Sequence, residues 1–473
     1  EESWSDADGI HFSGSPCPGN MAFLFPGIGF PGLAGGYTGR LGELCLHFRE
    51  VRRHIDYADG LTAADGTPYP LRYQFFPPPC LDSDSLASIE KELAWSERTP
   101  IGMMAASLAT WSLMRSLGFQ PDAIAGFSLG EWSALVAAGM LDSEGLIQLK
   151  EILKMEAGAQ GFEVDGIWAM VAAGADQVEA ILHQVPGTVS LTMDVSPTQV
   201  FIGGAVAAVR TALDRLRAVG IWGQELAFPP IHTPLARWFV DRLKAMPSIL
   251  NVRSAALPVY SGMSGRPYPD DPDHIREVIL EGIAAPVRIR DTIRELYADG
   301  VRIFVQLGSG GKILTNIQNT LALHPHVALS IDLERRGGLE QFHHLVGRLA
   351  VLGVPFDPQA LFRDRPCRGL DLTSRKSSTR ARGVLEESLA TLGRFLEIHD
   401  QDEQAEARVL ARYLETQEAA MKTFLARTRI PPPARVRYPF VGEILRLIPG
   451  QELISRLTLD LDEHLFLADH AFI

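Results

Sequence analysis

Ala123-Ile124-Ala125-Gly126-Phe127-Ser128-Leu129-Gly130-Glu131-Trp132 is the stretch around which the rest of the chain is organised. A short apolar run, residues 123–125, enters a Gly-x-Ser-x-Gly turn, and a segment with helical spacing, residues 131–140, leaves it. That is the layout of a nucleophile elbow, a tight strand-to-helix turn that holds a serine hydroxyl exposed at the head of a helix. Gly126 and Gly130 let strand, turn and helix crowd together without Cβ clashes. The helix N-terminus and the backbone N–H of Leu129 then face any negative charge that forms on a bound carbonyl. Five residues alone also fit a purely structural turn, so the meaning of Ser128 depends on what surrounds it in the chain.

Length and composition set the outer bounds. A chain of 473 residues has room for two or three domains and a large buried core. Apolar content of 46% and charged content of 21% place it in the ordinary soluble globular class. The formal net charge of −13 implies no basic face and argues against nucleic-acid binding. Cys17, Cys45, Cys80 and Cys367 are scattered and lack metal-ligand spacing, so neither a disulfide framework nor a metal site is expected. With no visible secretory leader and no apolar run long enough to span a bilayer, the expected location is cytoplasmic. The chain starts without a methionine and stops inside a patterned segment, and reads as a piece of something longer.

Residues 1–20 are polar and rich in Gly and Pro, and read as a linker. Residues 21–25 show a buried-strand pattern that breaks at Pro26-Gly27-Ile28-Gly29. A glycine-rich loop after a strand invites a phosphate-binding reading, but neither the Walker spacing nor Gly-x-Gly-x-x-Gly is present. Helical spacing covers 101–117 and 142–158. Beyond Gly166, strands are expected over 168–172, 188–193, 199–202 and 224–228, with helices over 177–183 and 205–219. The order βαββαβ is that of a split, ferredoxin-like unit, here residues 161–231. It is inserted in a larger domain, 21–160 and 232–358, where strands over 259–261 and 301–307 flank a helix over 291–298. The expected fold class is α/β, with a mostly parallel, α/β-hydrolase-like core. Residues 359–433 read as a linker with helices, basic and aperiodic over 363–383 and helical over 384–427.

A serine hydroxyl is a poor nucleophile until a base takes its proton, and histidine is the usual base. His232, in Phe228-Pro229-Pro230-Ile231-His232-Thr233-Pro234, is best placed, because it lies where the insertion hands the chain back to the larger domain. Such hinges commonly border clefts. His274, His324 and His326 sit in polar, loop-like surroundings and are weaker candidates.

Five motifs now fall in order: Phe25-Pro26-Gly27-Ile28-Gly29, the Ser128 elbow, the His232 segment, Pro258-Val259-Tyr260-Ser261-Gly262 and Gln306-Leu307-Gly308-Ser309-Gly310-Gly311. Their order and spacing around a ferredoxin-like insertion resemble the acyl-CoA:acyl-carrier-protein transacylases, most of all the acyltransferase domains of polyketide and polyunsaturated-fatty-acid synthases, over about residues 21–358. The resemblance implies ping-pong acyl transfer from a thioester to Ser128 and on to a phosphopantetheine thiol, with His232 as base and no bound cofactor. It implies an oxyanion hole from the backbone N–H groups of Ile28 and Leu129, and a backbone carbonyl near Gly282 that orients His232. Acyl-CoA and an acyl carrier protein would be the partners, with ketosynthase and dehydratase neighbours in the same chain. The negative net charge gives an acidic carrier no help except through a local basic patch.

The departures from the family pattern bear on substrate. Phe127 stands where the elbow usually carries histidine, Ile28 and Thr99 stand where glutamines are common, and Phe127, Thr99, Leu153 and Ile231 are expected to line the substrate pocket. Malonyl-selective members carry an arginine on the helix after the elbow, which pairs with the free carboxylate. Counting from Ser128, that position is Leu153, with Lys154 adjacent and Lys150 one turn earlier. Leucine makes a carboxylate costly to bury and a neutral acyl chain welcome, so neutral acyl groups are expected. Hydrolytic release of the acyl group and a degenerate scaffold domain are the alternatives. The tail, residues 457–470, resembles the opening of a hot-dog dehydratase, taken as residues 434–473, with His470 in the position of its base.

Overall fold

A computed structural model describes residues 3–6, 9–27, 41–62, 70–76, 99–142, 166–246, 250–333, 336–363, 443–448 and 452–456. The chain divides into two units, Glu1–Leu370 and Asp371–Ile473. In chain order the strands are β1 (Ser3–Ser5), β2 (His11–Ser13), β3 (Asn20–Phe25), β4 (Ala123–Gly126), β5 (Gly166–Val171), β6 (Val189–Ser196) and β7 (Gln199–Ala205). They continue with β8 (Gly223–Leu226), β9 (Val259–Tyr260), β10 (Val287–Arg288), β11 (Val301–Gln306), β12 (Val327–Ser330), β13 (Glu443–Ile448) and β14 (Glu452–Arg456).

One of the two five-stranded sheets of the first unit has the order β12-β11-β3-β4-β9, and every pair in it is parallel. A parallel strand covered on both faces must be apolar throughout, and Met21 to Phe25 is buried at every position. β4 meets the same demand with small residues, Ala123, Ala125 and Gly126, which leave room for the turn that follows. The helix Thr99–Ser116 is buried continuously from Pro100 to Thr110, as a core helix must be, and packs against the helices Arg49–Thr62 and Leu129–Ala137. The sheet order reverses direction between β3 and β11, and ligands of doubly wound folds bind beyond the carboxyl ends of the strands at such a point.

The second sheet runs β10-β6-β7-β5-β8. β5 to β8 pair antiparallel, with the helices Ala175–Leu182 and Val206–Ala218 between them in sequence, which gives the βαββαβ order. A strand missed in the sequence, β10, joins the edge of this sheet parallel to β6, with Val287 opposite Met193 and Arg288 opposite Asp194. Two residues are too short to show periodicity, so β10 leaves no pattern to read. Beside it an Arg290–Asp194 ion pair of 2.7 Å links the chain of the larger domain to β6. Leu24, Phe127, Trp168, Phe201 and Phe304 belong to one buried cluster, so the two sheets share a core.

Residues read as a linker before β3 hold the β1–β2 hairpin, in which Trp4 stacks on Phe12 at 6.1 Å. His11 meets His344 edge-on, and Arg348 donates to the Trp4 carbonyl, so the hairpin rests on the helix Gly338–Val351. In the second unit, β13 and β14 form an antiparallel hairpin. The helices expected over 142–158 and 384–427 lie outside the described residues, apart from Asp142.

The elbow owes its shape to two glycines. A Cβ on Gly126 would stand 2.2 Å from the Gly130 carbonyl oxygen, and one on Gly130 would stand 2.1 Å from the Phe25 carbonyl oxygen. Both clashes are with backbone, which cannot rotate away. Gly130→Ala is therefore expected to lower stability by about 3 kcal/mol or more in a urea titration. Gly60, in a helix with nothing within 4 Å of its added Cβ, is the control. Gly60→Ala should raise stability by about 0.5–1 kcal/mol.

Candidate active site

Ser128 ends the β4 turn with φ 54° and ψ −122°, and the helix Leu129–Ala137 begins at the next residue. Among the described residues only Leu41, Ser128 and His232 have a positive φ without being glycine. Two of the three are the expected nucleophile and base. Strained backbone of this kind persists where the surroundings over-determine it, and it clusters at functional sites.

The structure brings the pair together. Ser128 Oγ lies 2.9 Å from His232 Nε2. On the other side of the ring, His232 Nδ1 lies 2.8 Å from the carbonyl oxygen of Gly282 and 3.2 Å from that of Ala285. A carbonyl can only accept, so Nδ1 carries the ring proton and donates it. Nε2 is then the acceptor, and the Ser128 hydroxyl donates to it. The backbone N–H of His232 donates to the Ile283 carbonyl at 2.7 Å, so main chain and side chain are tied to the same turn. Burial drives the His232 imidazole down to about 4, against the raising effect of the Gly282 and Ala285 carbonyls. The ring is neutral near pH 7 and fit to take a proton.

The loop before the base is braced locally. The Thr233 hydroxyl donates to the Pro230 carbonyl at 2.5 Å and accepts from Leu235 N–H at 3.2 Å, capping the turn that follows. Trp168, on β5, puts its ring 6.1 Å from the His232 ring and 4.8 Å from that of Phe228. The second sheet thus supplies one wall behind the base.

Of the other residues singled out in the sequence, Leu129 is the first residue of the elbow helix, where an N–H has no helical partner four residues back. Gly282 accepts from the base through its carbonyl, and Ala285 is a second acceptor with no signal in the sequence, since any residue offers a carbonyl. Phe127 is 2% exposed, walled into the shared core behind the elbow, while Ile231 is partly buried against the same cluster. Thr99 begins a helix. His274 and His324 are exposed, and His326 takes no part in the pair, its Nδ1 donating to the His324 carbonyl. Ile28, Leu153, Lys150, Lys154 and His470 lie outside the described residues.

A cavity of about 510 Å³ lies elsewhere, lined by Asn20, Ala123, Val259 and Val301 among others. These are the first residues of β3, β4, β9 and β11, so it opens at the amino ends of the strands, opposite Ser128. Among the described residues no group of three His, Cys, Asp or Glu side chains could hold a metal ion, and no helix is long and apolar enough to cross a membrane.

The comparisons with known proteins meet this geometry. A family model for the acyl transferase domain matches residues 83–354. The chain is 27% identical over 306 residues to a malonyl CoA-acyl carrier protein transacylase from Bacillus subtilis, covering 63% of this chain and 89% of that protein. It is 25% identical over 366 residues to a polyunsaturated fatty acid synthase protein from Thraustochytrium, covering 75% of this chain and 13% of that protein. A spectinabilin polyketide synthase protein from Streptomyces orinoci is 26% identical over 380 residues, covering 76% of this chain and 16% of that one. The chain thus spans most of a free-standing transacylase but a small fraction of the synthases. Among solved structures, the acyltransferase domain from the second module of the salinomycin polyketide synthase superposes with a TM-score of 0.60 at 26% identity, covering 73% of this chain and 76% of that one. The malonyl-CoA:acyl carrier protein transacylase of Xanthomonas oryzae gives 0.57 at 26% identity, covering 67% and 96%. Matched across more than half its length by the one family and built on that family's α/β fold, the chain belongs to the acyl transferase domain family and is an enzyme that transfers acyl groups.

Proposed function

We propose that Ser128 and His232 carry a ping-pong transfer of an acyl group from a thioester to the phosphopantetheine thiol of an acyl carrier protein. The observation that supports this reading is the Oγ–Nε2 contact of 2.9 Å with Nδ1 committed to backbone carbonyls. As Oγ attacks the thioester carbonyl, its proton passes to Nε2, while Nδ1–H keeps its hold on Gly282. The tetrahedral oxyanion faces the N–H of Leu129 at the helix head, with Ile28 as the second donor. Collapse breaks the carbon–sulfur bond, and the departing thiolate takes the proton from Nε2. The carrier thiol then gives its proton to Nε2 and attacks the acyl-serine, and Ser128 leaves with that proton returned. No cofactor enters this cycle. A carbonyl in place of the aspartate of a serine protease triad fixes the tautomer without adding charge to the site.

For the acyl group we propose a neutral one. By count from Ser128, Leu153 takes the position of the carboxylate-binding arginine of malonyl-selective members, and the chain neighbours of the pair, Phe127 and Ile231, are apolar. Incubation with acetyl-, longer acyl- and malonyl-CoA, followed by intact-mass spectrometry, is the test. Neutral acyl groups should label the protein at least about tenfold faster than malonyl, the size of effect a lost bidentate ion pair gives. Preferential malonyl labelling overturns the neutral reading. Release of the label to buffer at a rate that added carrier does not raise would make the activity hydrolytic. Coverage of 75% of this chain by 13% of a fatty acid synthase protein favours a place inside a multidomain chain, beside ketosynthase and dehydratase domains.

A further inference from the structure

Glu131 lies three residues after Ser128, and the acyl-transfer cycle gives its carboxyl nothing to do. The residue is partly buried, and its carboxyl group is enclosed. Oε1 accepts from the Gly262 N–H at 3.0 Å and from the Tyr268 hydroxyl at 2.6 Å. The Ser261 hydroxyl bonds to the same carboxyl. Burial pushes it up to about 7, partly offset by these donors. A carboxyl so desolvated is unfavourable unless its contacts matter.

Those contacts reach across the site. The Glu131 N–H donates to the Ser128 carbonyl at 3.0 Å, the first turn of the elbow helix. Gly262, which donates to the carboxyl, accepts at its own carbonyl from the Arg288 N–H at 2.6 Å. Arg288 is on β10, three residues beyond Ala285, whose carbonyl accepts from His232 Nδ1. From His232 Nε2 the path returns to Ser128 Oγ at 2.9 Å. Nucleophile and base are thus joined twice, once directly through space and once around a closed path through Glu131, Gly262 and Arg288. The direct bond is the one that must break and re-form in each half-reaction, so the distance has to be kept by the other route.

We infer that Glu131 is a positioning residue, whose carboxyl closes a ring of hydrogen bonds that fixes the Ser128 hydroxyl at reach of the His232 imidazole. The inference rests on the Ser128–His232 chemistry proposed above. The elbow helix sets the direction of Oγ, and the turn at 282–285 holds the Nδ1 side of the His232 ring. Glu131 is the side chain that fixes one against the other.

The test measures single-turnover acylation by acyl-CoA on the full chain, normalised to folded protein by near-ultraviolet circular dichroism. Glu131→Gln keeps an oxygen acceptor for Gly262 and Tyr268, and should retain acylation within about threefold. Glu131→Ala removes the link, and its maximal rate should fall about 30-fold or more, because a displacement of about 1 Å at a reacting pair costs that order. Its KM should stay within about twofold, since the link touches no substrate. Tyr268→Phe, which leaves the carboxyl and its packing, should lose about fivefold in the same parameter. It decides the matter where Glu131→Ala does not fold. Rates equal to wild type in Tyr268→Phe and in folded Glu131→Ala, a loss confined to KM, or a Glu131→Gln as impaired as Glu131→Ala each overturn the inference while wild-type labelling of Ser128 leaves the transfer chemistry standing. No labelling of wild type at Ser128 overturns both.

Discussion

Ser128→Ala loses the covalent acyl-enzyme altogether and at least about a thousandfold in kcat, the scale seen when a serine nucleophile is removed and only oxyanion stabilisation and binding remain. The measurement is intact-mass spectrometry after brief exposure to an acyl-CoA. Wild type gains the mass of one acyl group, and the variant gains none. The effect is chemical rather than structural for a reason visible in the backbone. Ser128 holds φ 54°, and alanine shares its Cβ, so the strain of the elbow is unchanged. What goes is one hydrogen bond to His232, worth about 1 kcal/mol net. An unchanged urea midpoint within that margin, together with a missing adduct, assigns the hydroxyl its role. A wild type that takes no label from any thioester would instead leave a scaffold, and a variant still labelled would move the nucleophile elsewhere.

How much of this was legible in the sequence differs from one part of the site to another. The elbow announces itself because its physics is local. Two glycines must flank the serine, since a Cβ at either would meet backbone at about 2 Å, and that constraint is written within five residues. His232 needed more, as its place follows only from the order of the βαββαβ insertion and the point where the chain returns from it. The carbonyls of Gly282 and Ala285 leave no chemical mark at all, and Gly282 was reachable only through the resemblance to the transacylases. β10 was hidden by its two-residue length, and with it the way in which the second sheet grips the turn that orients the base. Glu131 could be read as the charged end of an amphipathic helix. Its partners, Gly262 and Tyr268, are 131 and 137 residues away, and only folding brings them within hydrogen-bond distance. The β1–β2 hairpin escaped for a different reason, since strands of three residues among Gly and Pro look like the linker they were read as.

The acid limb of the reaction should lie unusually low, because the working form of His232 is the neutral ring and burial takes its titration down to about 4. Acylation measured as kcat/KM reports the free enzyme. At pH 5 it should retain about nine-tenths of its plateau, where a histidine at the ordinary 6.5 would retain about 3%. Stability carries the same signature with a determined sign. The unfolded chain binds a proton at His232 below about 6.5 while the folded one does not until about 4, so over that window unfolding takes up a proton. The His232 contribution to stability falls as pH drops through that window, by about 3 kcal/mol in all, and levels off below the folded value. His232→Asn separates the two effects. Asparagine tolerates the positive φ of 57° better than other replacements and keeps an amide donor on the Gly282 side. It cannot accept the serine proton as a base, so acylation should fall at least about a thousandfold. It also has nothing to titrate, so the difference between the wild-type and variant urea midpoints should change between pH 6.5 and 4 by the His232 contribution, while the slopes of other buried groups such as Glu131 stay in both. An activity limb near 6.5 in wild type would show that burial does not depress this imidazole, and acylation undiminished in His232→Asn would show that the imidazole is not the proton acceptor.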